Sequence, residues 1–446
     1  MVSNEFKSAG HPVVLVKPVY DENHLPKVES LKAVFDLVTA QMRCGKVVAA
    51  YTPTYGGVAE AILKMAIGNR IGFAYDEAVD LEEMFGYAYG GFILEVDGCV
   101  NCAKKILAKC GDQMEGKLLG WTTEGESISW KDEKLCLNGL QKIYEDKLEP
   151  IYSCNIAQDN REIPAFEHKA TQWAAPAIKV AKPRVLIPVF PGTNCEFDTA
   201  KALERAGAEA EIIVINNLTA SGISQSVDYF ADRLKQAQIV FIPGGFSGGD
   251  EPDGSGKFIT AFFRNGAVKD GVTELLEQRD GLMAGICNGF QALIKLGLVP
   301  YGKIIDTDEN CPTLTFNTIS RHQSRMVQTR IASNKSPWLM NTQVGDVYSV
   351  PISHGEGRFL ASDALVMELA KNGQIATQYV DLAGVPTTDV RFNPNNSAFA
   401  IEGITSPDGR VFGKMGHSER IGYGLYKNVE GTYEMGMFDG AVKYFK

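Results

Sequence analysis

From residue 184 to residue 300 short apolar runs alternate with helical patterns, and the runs end in glycine-rich or cysteine-bearing turns. Arg184 to Phe190, Ala210 to Ile215, Gln238 to Pro243 and Gly281 to Ile286 read as strands. Glu196 to Ala206, Val227 to Gln236 and Val272 to Gln278 read as helices. Strands alternating with helices of this length build βαβ units and a mainly parallel sheet. A ligand then sits at the carboxyl ends of the strands. Pro191-Gly192-Thr193-Asn194, Pro243-Gly244-Gly245 and Cys287 all fall at such ends, which places three turns in one crevice. Further strands, Tyr348 to Ser353, Ile375 to Val380, Ser397 to Ile404 and Val411 to Met415, are expected to extend or cover this sheet.

The turn at Cys287 carries the sharpest chemical signal. Met283-Ala284-Gly285-Ile286-Cys287-Asn288-Gly289-Phe290-Gln291 joins a buried strand to a helix with apolar positions at Phe290, Leu293, Ile294 and Leu296. A cysteine on such a turn, between two glycines, has the layout of a nucleophile elbow with sulfur in place of the hydroxyl. The helix N-terminus behind it favours the thiolate. A buried structural cysteine is the competing reading of these residues alone.

A histidine and a carboxylate weigh against that alternative. Ser353-His354-Gly355-Glu356-Gly357-Arg358-Phe359 follows the apolar run Val347 to Ile352. His354 and Glu356 are two apart, so in extended chain they project to one side. A carboxylate beside an imidazole can accept its N–H, fix the tautomer and stabilise the imidazolium. Cys287, His354 and Glu356 would then be nucleophile, base and orienter. The strand Ile239 to Pro243 leads into Gly244-Gly245-Phe246-Ser247-Gly248-Gly249-Asp250, whose backbone N–H groups, with that of Asn288, could form an oxyanion hole. A phosphate loop is disfavoured, because Gly256-Lys257 is followed by Phe258 rather than Ser or Thr.

PGGFSGGD, GICNGFQ and SHGEGRF, in that order, resemble the class I (triad-type) glutamine amidotransferases. With Val189 to Leu203 (VFPGTNCEFDTAKAL) they are similar to the glutaminase domain of the phosphoribosylformylglycinamidine synthase family, over about residues 181–446. The resemblance implies a flavodoxin-like doubly wound sheet. It implies Cys287 as nucleophile, His354 as base, Glu356 as its partner and Gly245 and Asn288 as backbone oxyanion donors. Gln291 would contact the bound glutamine. Two segments depart from the family pattern. Asn317 to Arg325 replaces an R-F-E-A-R-type stretch, and a C-terminal H-P-E-R appears as His417-Ser418-Glu419-Arg420. Both bear on secondary substrate and domain contacts rather than on the expected triad.

Residues 1–132 read as an α+β block, residues 133–183 as a partly helical linker and residues 184–446 as the glutaminase domain. Lys46 to Gly72 resembles the C-terminal half of the ATP-using, aminoimidazole-ribonucleotide-synthetase-like domain, with Thr54-Tyr55-Gly56-Gly57 where the family has S-D-G-G. The resemblance implies that the chain is a C-terminal fragment with no cofactor of its own. ATP and Mg²⁺ would belong to the full-length enzyme, and the missing synthetase domains, or separate subunits, would be its partners. Rival readings are an amidotransferase feeding a synthetase for GMP, CTP or carbamoyl phosphate, a different cysteine hydrolase, and an assembly module with a dormant site.

Composition narrows the setting. A net charge of −10 and the lack of a basic run argue against nucleic acid. No stretch reaches the ~18 apolar residues of a membrane span. The polar start MVSNEFKSAG lacks a signal-peptide layout, and nine cysteines, an odd number, suit a reducing compartment, so a cytoplasmic protein is expected. Cys99-x-x-Cys102 has no second pair at zinc-site spacing and reads as structural or incidental, with a metal site as the alternative.

Overall fold

Val13 and Leu15 face one side of strand β1 (Pro12–Pro18), Val14 and Val16 the other, and all four are buried in the computed structural model. A run buried on both faces needs cover on both. The structure describes residues 2–151, 161–173, 175–246, 256–422 and 424–446, and the chain divides into two units, Met1–Cys154 and Asn155–Lys446.

The first unit continues with α1 (Val28–Arg43), β2 (Val47–Tyr51), α2 (Gly57–Asn69), β3 (Gly72–Tyr75), α3 (Leu81–Phe85) and β4 (Phe92–Val96). It ends with α4 (Val100–Leu107), β5 (Met114–Thr123), β6 (Ser127–Trp130), β7 (Glu133–Cys136) and α5 (Leu137–Asp146). Its strands form one sheet in the order β2-β4-β1-β5-β3-β6-β7. Val58, Ala61, Ile62 and Met65 of α2 cover one face, and Val34, Leu37 and Val38 of α1 with Ala103 and Ile106 of α4 cover the other.

The linker expected over residues 133–183 is not found as such. β7 pairs with β6, and Leu137 of α5 is fully buried in the core that holds α2, so residues 133–146 belong to the first unit. Residues 161–182 run instead along the second unit. His168 N–H donates to Ala332 O (2.8 Å), Trp173 Nε1 to Asn334 O (2.8 Å) and Val180 N–H to Phe445 O (2.8 Å).

The second unit runs β8 (Arg184–Val189), α6 (Glu196–Arg205), β9 (Glu209–Val214), α7 (Ala220–Leu234), β10 (Ile239–Ile242), α8 (Lys257–Phe263) and α9 (Gly266–Glu277). Then follow β11 (Leu282–Ile286), α10 (Asn288–Leu296), α11 (Leu298–Tyr301), β12 (Thr313–Phe316), β13 (Gln323–Ile331) and β14 (Val347–His354). Last come β15 (Glu356–Leu360), α12 (Asp363–Lys371), β16 (Ile375–Val380), β17 (Ile401–Thr405), β18 (Val411–Lys414) and α13 (Met437–Tyr444). Nine strands form one sheet in the order β14-β13-β16-β17-β18-β11-β10-β8-β9. The five from β18 to β9 are parallel. Numbered along the chain they read 2-1-3-4-5 from the β9 edge, the flavodoxin-like order, whose switch point lies between β8 and β10. The other four extend the sheet antiparallel, as expected for the strand-rich later part. β12 and β15 form a separate ribbon. β10 and β11 are buried at every residue, and α10 at every residue but Lys295, so the site rests on fully buried elements.

Candidate functional site

β11 lies between β10 and β18, and Cys287 is the first residue past its end. The Cys287 N–H still follows the sheet, donating to Lys414 O at 2.9 Å. The chain then turns at once into α10, and Cys287 takes φ 53° and ψ −105°, a strained conformation for a residue with a side chain. The turn is tight because Gly289 presses on β10. A Cβ at Gly289 would lie 2.0 Å from Ile242 O. The expected elbow is therefore present, with glycine required by close approach. Burial pushes the Cys287 thiol up, and Cys195 and Glu419 push the same way. The Asn288 backbone N–H and the Arg420 charge oppose them without prevailing. A thiol so placed needs a base to become nucleophilic.

The structure brings Ser353-His354-Gly355-Glu356 to the elbow through its backbone. The Cys287 thiol faces Ser353 O at 3.7 Å, and Gln291 Nε2 donates to Glu356 O at 2.6 Å. It does not make His354 and Glu356 the expected pair. Both ring nitrogens of His354 are buried without a hydrogen-bond partner. Burial, then the nearby His417 and His322, push its pKa down to about 3. The physical reason is a bend at Gly355, where β14 ends at His354 and β15, which pairs with β12 instead, begins at Glu356. The extended spacing assumed from sequence does not persist across it.

The imidazole–carboxylate pair of the site is His417–Glu419. It follows β18, the strand beside β11. His417 Nδ1 and Glu419 Oε1 are 2.6 Å apart, and both side chains are buried. Burial pushes the Glu419 carboxyl up, but the charge and hydrogen bond of His417, a backbone N–H and Arg420 outweigh it and hold the group below its ordinary value. His417 Nε2 is buried with no hydrogen-bond partner, so the nitrogen opposite the carboxylate has no bond to break before receiving a proton. The His417 ring lies against Gly244, where a Cβ would stand 2.6 Å from Cε1.

Cys195, at the N-terminus of α6, completes the group. Its sulfur lies 3.8 Å from His417 Nδ1, 3.0 Å from Asn194 Oδ1 and 2.8 Å from Arg420 Nη2. Burial, then the Glu419 charge, push this thiol up to about 12 despite Arg420. Among the described residues, Cys195, His417 and Glu419 are the one group whose ligand atoms lie close enough, within 4.8 Å, to hold a metal ion. The Arg420 guanidinium on the sulfur makes it a poor place for a cation. None of these four residues was chosen from sequence. The available signals were a second His-x-Glu and a cysteine directly after a strand-end glycine turn.

Gly245 lies in the turn after β10 and Asn288 opens α10 after β11, so both follow the ends of neighbouring parallel strands. Gly245 has φ +144°, and a Cβ there would lie 2.7 Å from Gly192 O, so no other residue fits. Phe246 N–H donates to Gly192 O at 2.7 Å, which knits the turns after β8 and β10 together at the switch point. Ser247 to Asp250, the rest of the expected oxyanion turn, lie outside the described residues. The Gln291 side chain accepts from Asn288 Nδ2 at 2.9 Å and donates to Glu356 O, so both of its ends are engaged within the protein.

Residues 182–445 match the family described as the CobB/CobQ-like glutamine amidotransferase domain. Phosphoribosylformylglycinamidine synthase subunit PurQ of Methanococcus maripaludis is 38% identical over 259 residues, 58% of this chain and 88% of that protein. The corresponding subunit of Dehalococcoides mccartyi is 34% identical over 273 residues, 59% of this chain and 98% of its own length. Among solved structures, a chain of PurLQS from Thermotoga maritima aligns over its whole length with 59% of this chain, at 25% identity and a TM-score of 0.43.

Proposed function

This chain belongs to the CobB/CobQ-like glutamine amidotransferase family, as a glutamine amidotransferase of the phosphoribosylformylglycinamidine synthase type, and we propose that Cys287, His417 and Glu419 carry its glutaminase chemistry. The observation that supports this reading is the bonded His417–Glu419 pair just past the end of β18, the strand next to β11 and its Cys287 elbow. His417 Nε2 takes the thiol proton, and Glu419 holds the ring and stabilises its charge. The thiolate attacks the side-chain carbonyl of glutamine. Backbone N–H groups at Gly245 and Asn288 take the oxyanion, and the loss of one such donor costs ~2.7–4 kcal/mol. The imidazolium returns the proton to the departing amine, ammonia leaves, and a γ-glutamyl thioester remains on Cys287. Water, deprotonated by His417, cleaves it to glutamate and the free thiol.

The ammonia feeds the conversion of formylglycinamide ribonucleotide to its amidine. We assign the ATP- and Mg²⁺-dependent half of that reaction to a partner synthetase. In Met1–Cys154, which we read as half of a synthetase domain, Thr54-Tyr55-Gly56-Gly57 lies at the N-terminus of α2. The Glu60 carboxylate accepts from the Gly56 N–H at 2.8 Å and from the Thr54 hydroxyl at 3.2 Å. A carboxylate occupies the place a phosphate would need, so these residues do not fit a nucleotide.

A diazo-ketone analogue of glutamine tests the assignment. Mass spectrometry should find Cys287 alkylated in preference to the other eight cysteines, and Cys287→Ala should abolish labelling. His417→Gln should slow alkylation by about 10²-fold or more, the usual worth of a general base, and His354→Gln by far less. A greater loss in His354→Gln than in His417→Gln would return the base to His354.

A further inference from the structure

We infer that Lys414, Glu402 and Ser418 are positioning residues that hold the nucleophile and the His417–Glu419 pair in register. Lys414, the last residue of β18, is fully buried, and so is Glu402 on β17. The Lys414 carbonyl accepts the Cys287 N–H at 2.9 Å. Its ammonium pairs with Glu402 Oε1 at 3.4 Å and donates to Gly416 O and Ser418 Oγ, both at 2.9 Å. Glu402 Oε1 also accepts from the Gly416 N–H at 2.6 Å, and Oε2 from the Thr377 hydroxyl. One residue thus fixes the elbow through its backbone and the loop of the base through its side chain. Ser418 stands between His417 and Glu419, where the resembled family motif has proline. Proline fixes φ with no partner; serine does not, and here its hydroxyl is tied to a buried ammonium and donates to Met435 Sδ at 3.5 Å. Two buried charges are a poor means of stabilising a fold, because apolar replacements of similar volume are often neutral. Register for the catalytic loop is what this pair supplies.

The inference rests on His417 being the base, and the test separates the two. In the full chain, the rate constant and the half-saturation for alkylation of Cys287 by the diazo-ketone are measured with the thermal midpoint. The double variant Glu402→Leu/Lys414→Met strands the Gly416 N–H and carbonyl and the Thr377 hydroxyl, so it should melt earlier than the parent and is assayed below its own midpoint. Its alkylation rate constant should fall about tenfold or more, with half-saturation moved less than about threefold, as expected of misplaced catalytic groups. Ser418→Ala should lose rate in the same way, and Ser418→Pro should alkylate faster than Ser418→Ala. Should the double variant not fold, Ser418→Ala decides alone. Parent-like rates in Ser418→Ala, a loss confined to half-saturation, or a proline variant no faster than alanine would overturn the inference. If His417→Gln also labelled like the parent, the proposed triad itself would fall.

Discussion

His354 is buried, unpartnered at both ring nitrogens and held neutral, with its pKa pushed down to about 3 from the ordinary 6.5. Below about 6.5 the unfolded chain binds a proton there that the folded protein refuses until about pH 3, so stability falls as pH drops through that window and is untouched above it. Replacing His354 by Gln should flatten this fall by up to about 1.4 kcal/mol per pH unit, measured by urea unfolding at neutral and mildly acidic pH. The site was half legible at this scale. Cys287 could be chosen because strand, turn and helix are contiguous in sequence. The proposed base could not, because His-x-Glu occurs twice, at His354 and at His417, and spacing alone favours neither. What separates them is that β18, not β14, lies beside β11.

Among the elements, the elbow depends on how closely α10 approaches β10. Gly289→Ala would place a methyl 2.0 Å from Ile242 O, backbone that cannot yield cheaply. Overpacking of this kind costs about 1–3 kcal/mol or more, so the variant should melt earlier, and alkylation of Cys287 should be lost with the displaced helix. A parent-like melting midpoint would show that α10 can move aside. Of the parallel strands, β8, β10 and β11 were legible because each is a nearly continuous apolar run next to a helical pattern. β7 is not legible, and Glu133 to Cys136 falls within the expected, partly helical linker. Its four residues are all exposed, so pairing with β6 leaves no apolar alternation in the sequence. The 2-1-3-4-5 order was expected only through family resemblance, since order is a property of crossovers and not of any one strand.

At the scale of the whole molecule, a glutaminase without its ammonia acceptor would waste glutamine, and at the start of α2 the Glu60 carboxylate already takes the Gly56 N–H. This chain with ATP, Mg²⁺, formylglycinamide ribonucleotide and free ammonia should form no amidine. Adding the partner synthetase should restore synthesis and raise glutamine hydrolysis, as required if docking biases the site through contacts made in one state only. Amidine formation by the chain alone, followed by chromatography, would refute this division of labour. Among the described residues no helix is long and apolar enough to cross a membrane. The backbone at position 287 carries one last consequence. Cys287 holds φ 53° and ψ −105°, where glycine rests easily and cysteine does not. A copy released from selection would gain stability by drifting to glycine there, while losing its sulfur. On the proposed reading, the fold at 287 carries a strained backbone for the sake of the sulfur it presents.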